Sequence, residues 1–359
     1  MPSEVDRPRF EPAEAAEVLA QFNLNKVTKV HEYERGSSQS PKLLVEADGR
    51  AYVLKRRLIP GKSLERAAFA LQVHQAAAAA GVPVAAAVSL RHGHQLALHR
   101  GESMYEMFRY IRGERYSLQT EQAEAAGGVL ARLHRGLRPL GAPRAARLPT
   151  YHDCALVRRA VPEVAGTLDR LARDSPAKAQ TTLGLEDLLR RVLRQYEESA
   201  GVVTKASPIG EECILHGDFH PGNLLYRGAA VRCMLDFDAA RLGPPWHDVA
   251  NAMLQFASAP RGAADASAWD ASLREDLLRS VLTGYAREAN GELHRPARGV
   301  FVSHLMIEAS VTESIIPLAR RGRLGQYGAV DVLSFVDRRI NWLLAHAESI
   351  ARLVAEVVR

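Results

Sequence analysis

Apolar residues recur along this chain with two periods, and the place where one gives way to the other is the first architectural signal. Phe10, Ala13, Val18, Leu19 and Phe22 fall at helical spacing and predict a short opening helix. Lys42–Glu46 and Ala51–Leu54 are short β-prone runs. They are joined through Ala47-Asp48-Gly49-Arg50, whose Asp-Gly pair predicts a hairpin. After Pro60-Gly61, helical spacing resumes from about Lys62 through the alanine tract Ala76–Ala80. Gly81 ends it, with Pro83 just beyond. Val84–Leu90 and Gln95–His99 predict two further strands, and Met104–Ile111 a third that stops at Gly113.

From Thr120 onward the period is helical. Thr120–Leu137, Leu183–Ala200, Ala271–Ala289, Phe301–Leu318 and Val330–Val358 each predict a helix, while Arg138–Pro149 and Ser258–Ala268 predict loops. One β-like island, Cys213–Asp238, interrupts the helices, and there is no internal repeat. The expected fold is α+β and bilobal. Residues 1–108 would form a small β-rich lobe with an opening helix, and residues 109–359 a larger helical lobe.

Composition narrows the class. With 359 residues, 47% hydrophobic and 25% charged, the chain has globular composition and length for one large or two modest domains. No stretch approaches 18 consecutive apolar residues, so no membrane partner is expected. Met1–Arg9 is charged and contains proline, unlike a secretory leader, and a cytoplasmic location is expected. Three cysteines, none in a C-x-x-C pair, argue against a disulfide framework or a zinc knuckle. The formal charge of +6 raises the question of nucleic acid. The basic residues are nearly all arginine and spread along amphipathic stretches without a block of five like charges, which describes a solvated surface. No nucleic-acid partner is expected, and a mild positive field suits an anionic ligand such as a nucleotide.

The chemistry concentrates in the island. An apolar run delivers His216-Gly217-Asp218-Phe219-His220, Pro221-Gly222 turns the chain at Asn223, and a second apolar run, Val231–Leu235, delivers Asp236. Asp218, Asn223 and Asp236 can thus meet at the mouth of one hairpin-like unit. Two carboxylates and an amide oxygen are hard oxygen donors that suit Mg²⁺. Phosphoryl transfer needs this set, because it requires metal-held phosphates and a carboxylate to receive the proton of the attacking hydroxyl.

His216-Gly217-Asp218-x4-Asn223, followed by Leu235-Asp236 and Gly243-x4-Asp248, resembles the signature of the aminoglycoside phosphotransferase/choline kinase family, which has the protein-kinase-like fold. The match covers about 33 residues, and Lys55 at the end of Ala51-Tyr52-Val53-Leu54 extends it to the first lobe. The resemblance implies that Asp218 is the catalytic carboxylate, that Asn223 and Asp236 hold Mg²⁺, and that Lys55 contacts the α and β phosphates of ATP. It also implies a glutamate partner for Lys55. Glu65 is the candidate, an alternative being a helix-start glutamate with no partner. Gly36, Ser37 and Ser38 stand where the phosphate-covering loop should be, although only one glycine is present. Adenine would lie near Phe108–Ile111. His216 would support the loop backbone, and Asp248 would anchor it by hydrogen bonds. The roles of His220 and Asp238 are left open.

Two other sites fit the residues less well. His216-x-Asp218-x-His220 could form a transition-metal cluster, but that leaves Pro221-Gly222-Asn223 and Asp236 unexplained. His247-Asp248 could be half of an HD-type phosphohydrolase centre, but that fold is all-helical. Gly217 replaces the arginine of typical protein kinases, and eleven residues separate Asp236 from Asp248, too few for a long regulated segment. Both departures favour a small-molecule hydroxyl acceptor such as an amino alcohol, amino sugar or homoserine-like compound. A protein Ser/Thr acceptor, as in bacterial stress-response kinases, and a nucleotide-binding pseudokinase are the alternatives. His304, Glu308, Glu313 and Ser314 on Phe301–Leu318 are candidate acceptor residues, Glu308 and Asp238 being able to hold a cation, against a plain solvated helix face.

Overall fold

Helix α1 (Pro12–Leu19) leads into strands β1 (Val27–Glu32), β2 (Lys42–Ala47) and β3 (Arg50–Leu58). Helix α2 (Ser63–Ala79) follows, then β4 (Ala97–Arg100) and β5 (Ser103–Arg109). The computed structural model describes residues 9–33, 40–59, 63–174, 184–259, 265–291, 293 and 299–358. Strands β1–β5 form one antiparallel sheet in the order β1-β2-β3-β5-β4. Asp48 and Gly49 both take positive φ (52° and 70°) in the β2–β3 turn, the geometry for which an Asp-Gly pair is suited.

Period-two alternation divides this sheet into two chemically different faces. Leu43, Val45, Tyr52, Leu54, Tyr105 and Met107 point to one side and pack with Val18, Leu19 and Phe22 in a small core. Val53, Lys55, Arg57, Glu106 and Phe108 point to the other and line a cleft. Strand register places Val53 opposite Phe108 and Lys55 opposite Glu106.

The helical lobe contains α3 (Thr120–Leu137), α4 (Ala155–Asp174), α5 (Leu185–Ala206), α6 (Pro245–Ala257), α7 (Glu275–Ala289), α8 (Phe301–Arg321), α9 (Ala329–Ala345) and α10 (Ala347–Val357). Glycines allow α3 and α7 to touch. A Cβ at Gly127 would lie 1.9 Å from the Val281 carbonyl oxygen, and one at Gly284 would lie 1.9 Å from that of Glu124. Within this lobe lie the short strands β6 (Cys213–Leu215), β7 (Leu224–Arg227), β8 (Ala230–Met234) and β9 (Arg241–Gly243). β7 and β8 form a hairpin, and β6 pairs with β9.

Three expectations are corrected. Val84–Leu90 is not a strand: it forms only isolated bridges, from Val84 to Met234, Ala87 to Phe108 and Leu90 to Phe22. Its partners lie in both lobes, so no single ladder can form. The helix expected over Val330–Val358 is two, α9 and α10, broken at His346 (φ −107°, ψ 8°), whose ring stacks on Trp342 at 4.0 Å. α4 lies where no helix was expected, and it accommodates Pro162 in its interior.

Backbone bonds tie the segment past β5 and the segment past α2 to the β7–β8 hairpin. Past β5, Glu114 exchanges N–H···O bonds of 2.8 and 2.9 Å with Tyr226 of β7. Past α2, the N–H of Met234 in β8 bonds the Pro83 carbonyl at 2.6 Å.

Candidate active site

The loop from β6 to β7 carries His216, Gly217 and Asp218, and its shape is set by one buried carboxylate. Asp248, in the first turn of α6, accepts the N–H of His216 at 2.6 Å and that of Gly217 at 3.0 Å. It also meets His134 Nε2 at 3.0 Å, while His134 Nδ1 lies 2.8 Å from the Tyr285 hydroxyl. Burial alone would raise the Asp248 carboxyl, but His134, His216 and the Gly217 amide hold it below its ordinary value. Gly217 has φ +75°, and a Cβ there would lie 2.2 Å from the Ala239 carbonyl oxygen and 2.8 Å from Arg241 Nε. Only glycine fits that turn without displacement.

His216 is fully buried and holds the loop from inside. Its Nε2 meets the Leu235 carbonyl at 3.0 Å, and its Nδ1 accepts the Asp218 N–H at 3.3 Å. Those two bonds together require the neutral ring, and burial lowers its pKa accordingly. Asn223 closes the loop. Its Nδ2 donates to the Asp218 carbonyl at 2.9 Å and to Asp218 Oδ2 at 3.2 Å. The Asn223 carbonyl in turn accepts the Leu235 N–H at 2.8 Å, which sets Asn223 beside Asp236. With Nδ2 engaged, Oδ1 is the amide atom left to face a cation.

His220 stands beside Asp218. Its Nδ1 accepts the Gly222 N–H at 3.0 Å, and Nε2 is 3.7 Å from Asp218 Oδ2. Burial would raise the Asp218 carboxyl. His220, and then His216 and Asn223, outweigh that and hold it low.

Asp236 follows β8 in the left-handed region, with φ +61°. Aspartate tolerates that conformation better than most residues, and such outliers concentrate at functional sites. Lys55 Nζ lies 3.7 Å from Asp236 Oδ1 and 2.9 Å from Asp238 Oδ2. Asp238 also pairs with Arg57, which donates to the buried Glu106 at 2.6 Å. Burial would raise Asp238, but Lys55 and Arg57 hold it below its usual value. Lys55 therefore takes Asp238 and Asp236 as its anions. Glu65 is exposed near the start of α2, and its expected pairing with Lys55 is replaced by these two contacts. Gly36, Ser37 and Ser38 lie outside the described residues.

Lys55, Asp218, Asn223 and Asp236 line a single cleft of about 750 Å³ between the lobes, which also includes Val53 and Phe108–Ile111. Its rear is a chain of ring contacts running from the sheet to α6. Phe108, His74, Phe237, His216, Phe219 and Phe256 follow one another with centroid separations of 5.0, 5.7, 5.3, 5.6 and 5.6 Å. Among the described residues, no group of three or more His, Cys, Asp or Glu side chains is placed to hold a metal by itself. Asn223 and Asp236 offer an amide oxygen and a carboxylate, hard donors of the kind that would suit Mg²⁺.

Several contributors carry no motif. His134 and Tyr285 are single residues on buried helix faces, indistinguishable in sequence from core positions. Arg57 and Glu106 show only as charges inside β-prone runs. Glu308 is neither a solvated face nor a cation holder in the cleft: it is buried, bonded to His152 Nδ1 at 2.9 Å and to the Asp153 N–H at 2.9 Å.

The fold and the contents of the cleft define the class, a bilobal phosphotransferase with a protein-kinase-like architecture. The sequence matches the profile of the phosphotransferase enzyme family over residues 29–289, most of the chain, and the protein belongs to that family. Among curated proteins none matches significantly. Solved structures of similar fold include a spectinomycin phosphotransferase in complex with ADP and spectinomycin (TM-score 0.67, 15% identity, 94% of this chain and 99% of that one). A microcompartment-associated aminopropanol kinase is comparable (0.62, 14%, 96% and 100%). So is an amicoumacin kinase in complex with AMP-PNP, Ca²⁺ and Ami (0.61, 11%, 95% and 94%).

Proposed function

We propose that the protein transfers the γ-phosphate of ATP to a hydroxyl of a small molecule, an amino alcohol, amino sugar or homoserine-like compound. What supports this most directly is the meeting of Lys55, Asp218, Asn223 and Asp236 in one cleft. In this reading residues 1–108 form the nucleotide-binding lobe and residues 109–359 the catalytic and acceptor lobe. The enzyme works in the cytoplasm, in keeping with three buried cysteines, none of them in a disulfide. Structural neighbours named for spectinomycin, aminopropanol and amicoumacin, with nucleotides bound in two of them, support the acceptor class and the nucleotide.

Val53 and the Phe108–Ile111 segment receive the base. Lys55 exchanges Asp238 for the α and β phosphates, which Gly36, Ser37 and Ser38 would cover. Asn223 and Asp236 hold Mg²⁺, which supplies positive charge against the phosphate oxygens. Asp218, held ionised, orients the acceptor hydroxyl and takes its proton as the new O–P bond forms and the bond to the β-phosphate oxygen breaks, releasing ADP. Asp248, His134 and Tyr285 keep the loop in place.

The test is ADP release from Mg-ATP on addition of hydroxylated amines, with product phosphorylation followed by mass. Acceptor-dependent ADP release, abolished by EDTA, is expected. Mg-ATP binding with no turnover on any acceptor would instead identify a nucleotide-binding module.

A further inference from the structure

The wall of the nucleotide cleft holds an anomaly that the proposed reaction leaves unused. Glu106, on the cleft face of β5, has an almost wholly enclosed side chain, yet only one of its carboxylate oxygens is paired. Arg57 Nε donates to Oε2 at 2.6 Å. Oε1 is buried and has no hydrogen-bond partner among the described residues. A buried carboxylate oxygen without a donor costs free energy, and such atoms are rare enough in native folds to call for an explanation.

We infer that Glu106 is the carboxylate that holds Lys55 once nucleotide is bound, so that the lysine–glutamate pair is made from β5 rather than from α2. The inference rests on the phosphotransferase reading above. It makes Glu106 a positioning residue, one that acts on the phosphates through Lys55.

Register is the first argument. Lys55 and Glu106 stand directly opposite each other in the β3–β5 ladder, and both line the cleft. Directly opposed residues have Cβ atoms about 4.5–5.5 Å apart, within reach of a lysine ammonium to its neighbour's carboxylate. Arg57, two residues further along β3, already makes the diagonal contact. Only the Lys55 side chain has to turn; neither strand moves.

Accessibility is the second. Of the two carboxylates that Arg57 joins, the Asp238 side chain is 39% exposed and that of Glu106 is 1% exposed. Asp238 can therefore be returned to water at far less cost than Glu106. In the resting structure Lys55 sits on this more accessible member, 2.9 Å from Asp238 Oδ2.

Charge is the third. With Asp238 in place, Lys55 and Arg57 are balanced by two carboxylates, Asp238 and Glu106. With Asp238 released and Lys55 on Glu106, the same two cations share one carboxylate. The wall then carries a net positive charge where phosphate oxygens are to bind. Burial keeps the Glu106 carboxyl above the ordinary glutamate range against the pull of Arg57 and then Lys55, as expected of a carboxylate that lacks a second cation in contact.

The test is a crystal structure of the parent protein with Mg²⁺ and AMP-PNP, read beside the ATP kinetics of variants. Lys55 Nζ is expected within about 4 Å of Glu106 Oε1 and detached from Asp238. Glu106→Gln should raise the KM for ATP about tenfold and leave the acceptor KM unchanged. In a Lys55→Met background the same substitution should have almost no further effect, since both changes remove one interaction. Bound nucleotide with Lys55 still on Asp238, or with only water at Oε1, overturns the inference and leaves the phosphotransferase reading standing. An equal loss from Glu106→Gln in both backgrounds does the same. The structure uses the parent protein, so it decides the inference even where Glu106→Gln does not fold. A cleft that stays without nucleotide at saturating Mg-AMP-PNP overturns both.

Discussion

The ammonium of Lys55 lies 2.9 Å from the carboxylate of Asp238, an aspartate two residues past the proposed metal ligand Asp236. This anion is not Glu65 of α2, the candidate the resemblance suggests. The structure supplies it from the segment that also presents Asp236, so under the proposed function the phosphates would have to displace Asp238 from Lys55. Lys55→Met is expected to lower kcat/KM for ATP by about ten- to a hundredfold, since hydrogen bonds to charged groups contribute about 1.5–3 kcal/mol. Glu65→Gln should change it by no more than an exposed ion pair does, about 0–1 kcal/mol. Steady-state kinetics with ATP varied distinguish the two.

Asp248 organises the loop from below through two backbone N–H groups and His134. Asp248→Asn replaces one acceptor oxygen by a donor facing another donor. It should destabilise the protein by about 1–3 kcal/mol in urea unfolding, with turnover falling as well. A normal unfolding midpoint would show that the loop does not depend on this carboxylate.

The acid side of the activity profile follows from Asp218. Its carboxyl is held below the ordinary range, chiefly by His220 against the opposing effect of burial. The base form is therefore present throughout the neutral range, and kcat/KM should fall only at pH below that of a free aspartate. His220→Gln removes the imidazole that holds Asp218 low, so the acid limb should move upward in pH. The same sign governs stability. Carboxyls depressed on folding, Asp218 and Asp248, contribute stability above the unfolded aspartate pKa. That contribution is lost as pH falls through their lower folded values.

Gly217 sits where a side chain would meet the Ala239 carbonyl oxygen and the Arg241 guanidinium. Gly217→Ala should displace Asp218 and reduce kcat by about a hundredfold, the scale expected for a misplacement near 1 Å. Nucleotide binding should be retained, because Lys55 and the Phe108–Ile111 segment are on other elements. Titration with a fluorescent ATP analogue tests that separation.

The recognisable parts of the molecule were those with short-range patterns. The Asp48-Gly49 hairpin, the α2 stop at Gly81, α3, and the spacing of Asp218, Asn223 and Asp236 follow from local chemistry. α4 carries buried residues at helical spacing, Val157, Val161, Val164 and Leu168, yet Pro162 in their midst masks the signal. Val84–Leu90 reads as a strand because its composition is apolar, while its partners are divided between two lobes. His134, Tyr285, Arg57 and Glu106 are brought to the site only by tertiary packing, and nothing in their sequence neighbours distinguishes them from core or surface residues. The partner of Lys55 is hidden for the same reason: Asp238 stands 183 positions further along the chain.

The central claim is that Asp218 receives the acceptor proton in a cleft assembled independently of it. The most direct measurement is acceptor-dependent turnover of Asp218→Asn beside its Mg-ATP affinity. The account expects kcat to fall by about 10²–10⁴-fold with nucleotide affinity and unfolding midpoint close to those of the parent protein. Turnover within a few fold of the parent would contradict it.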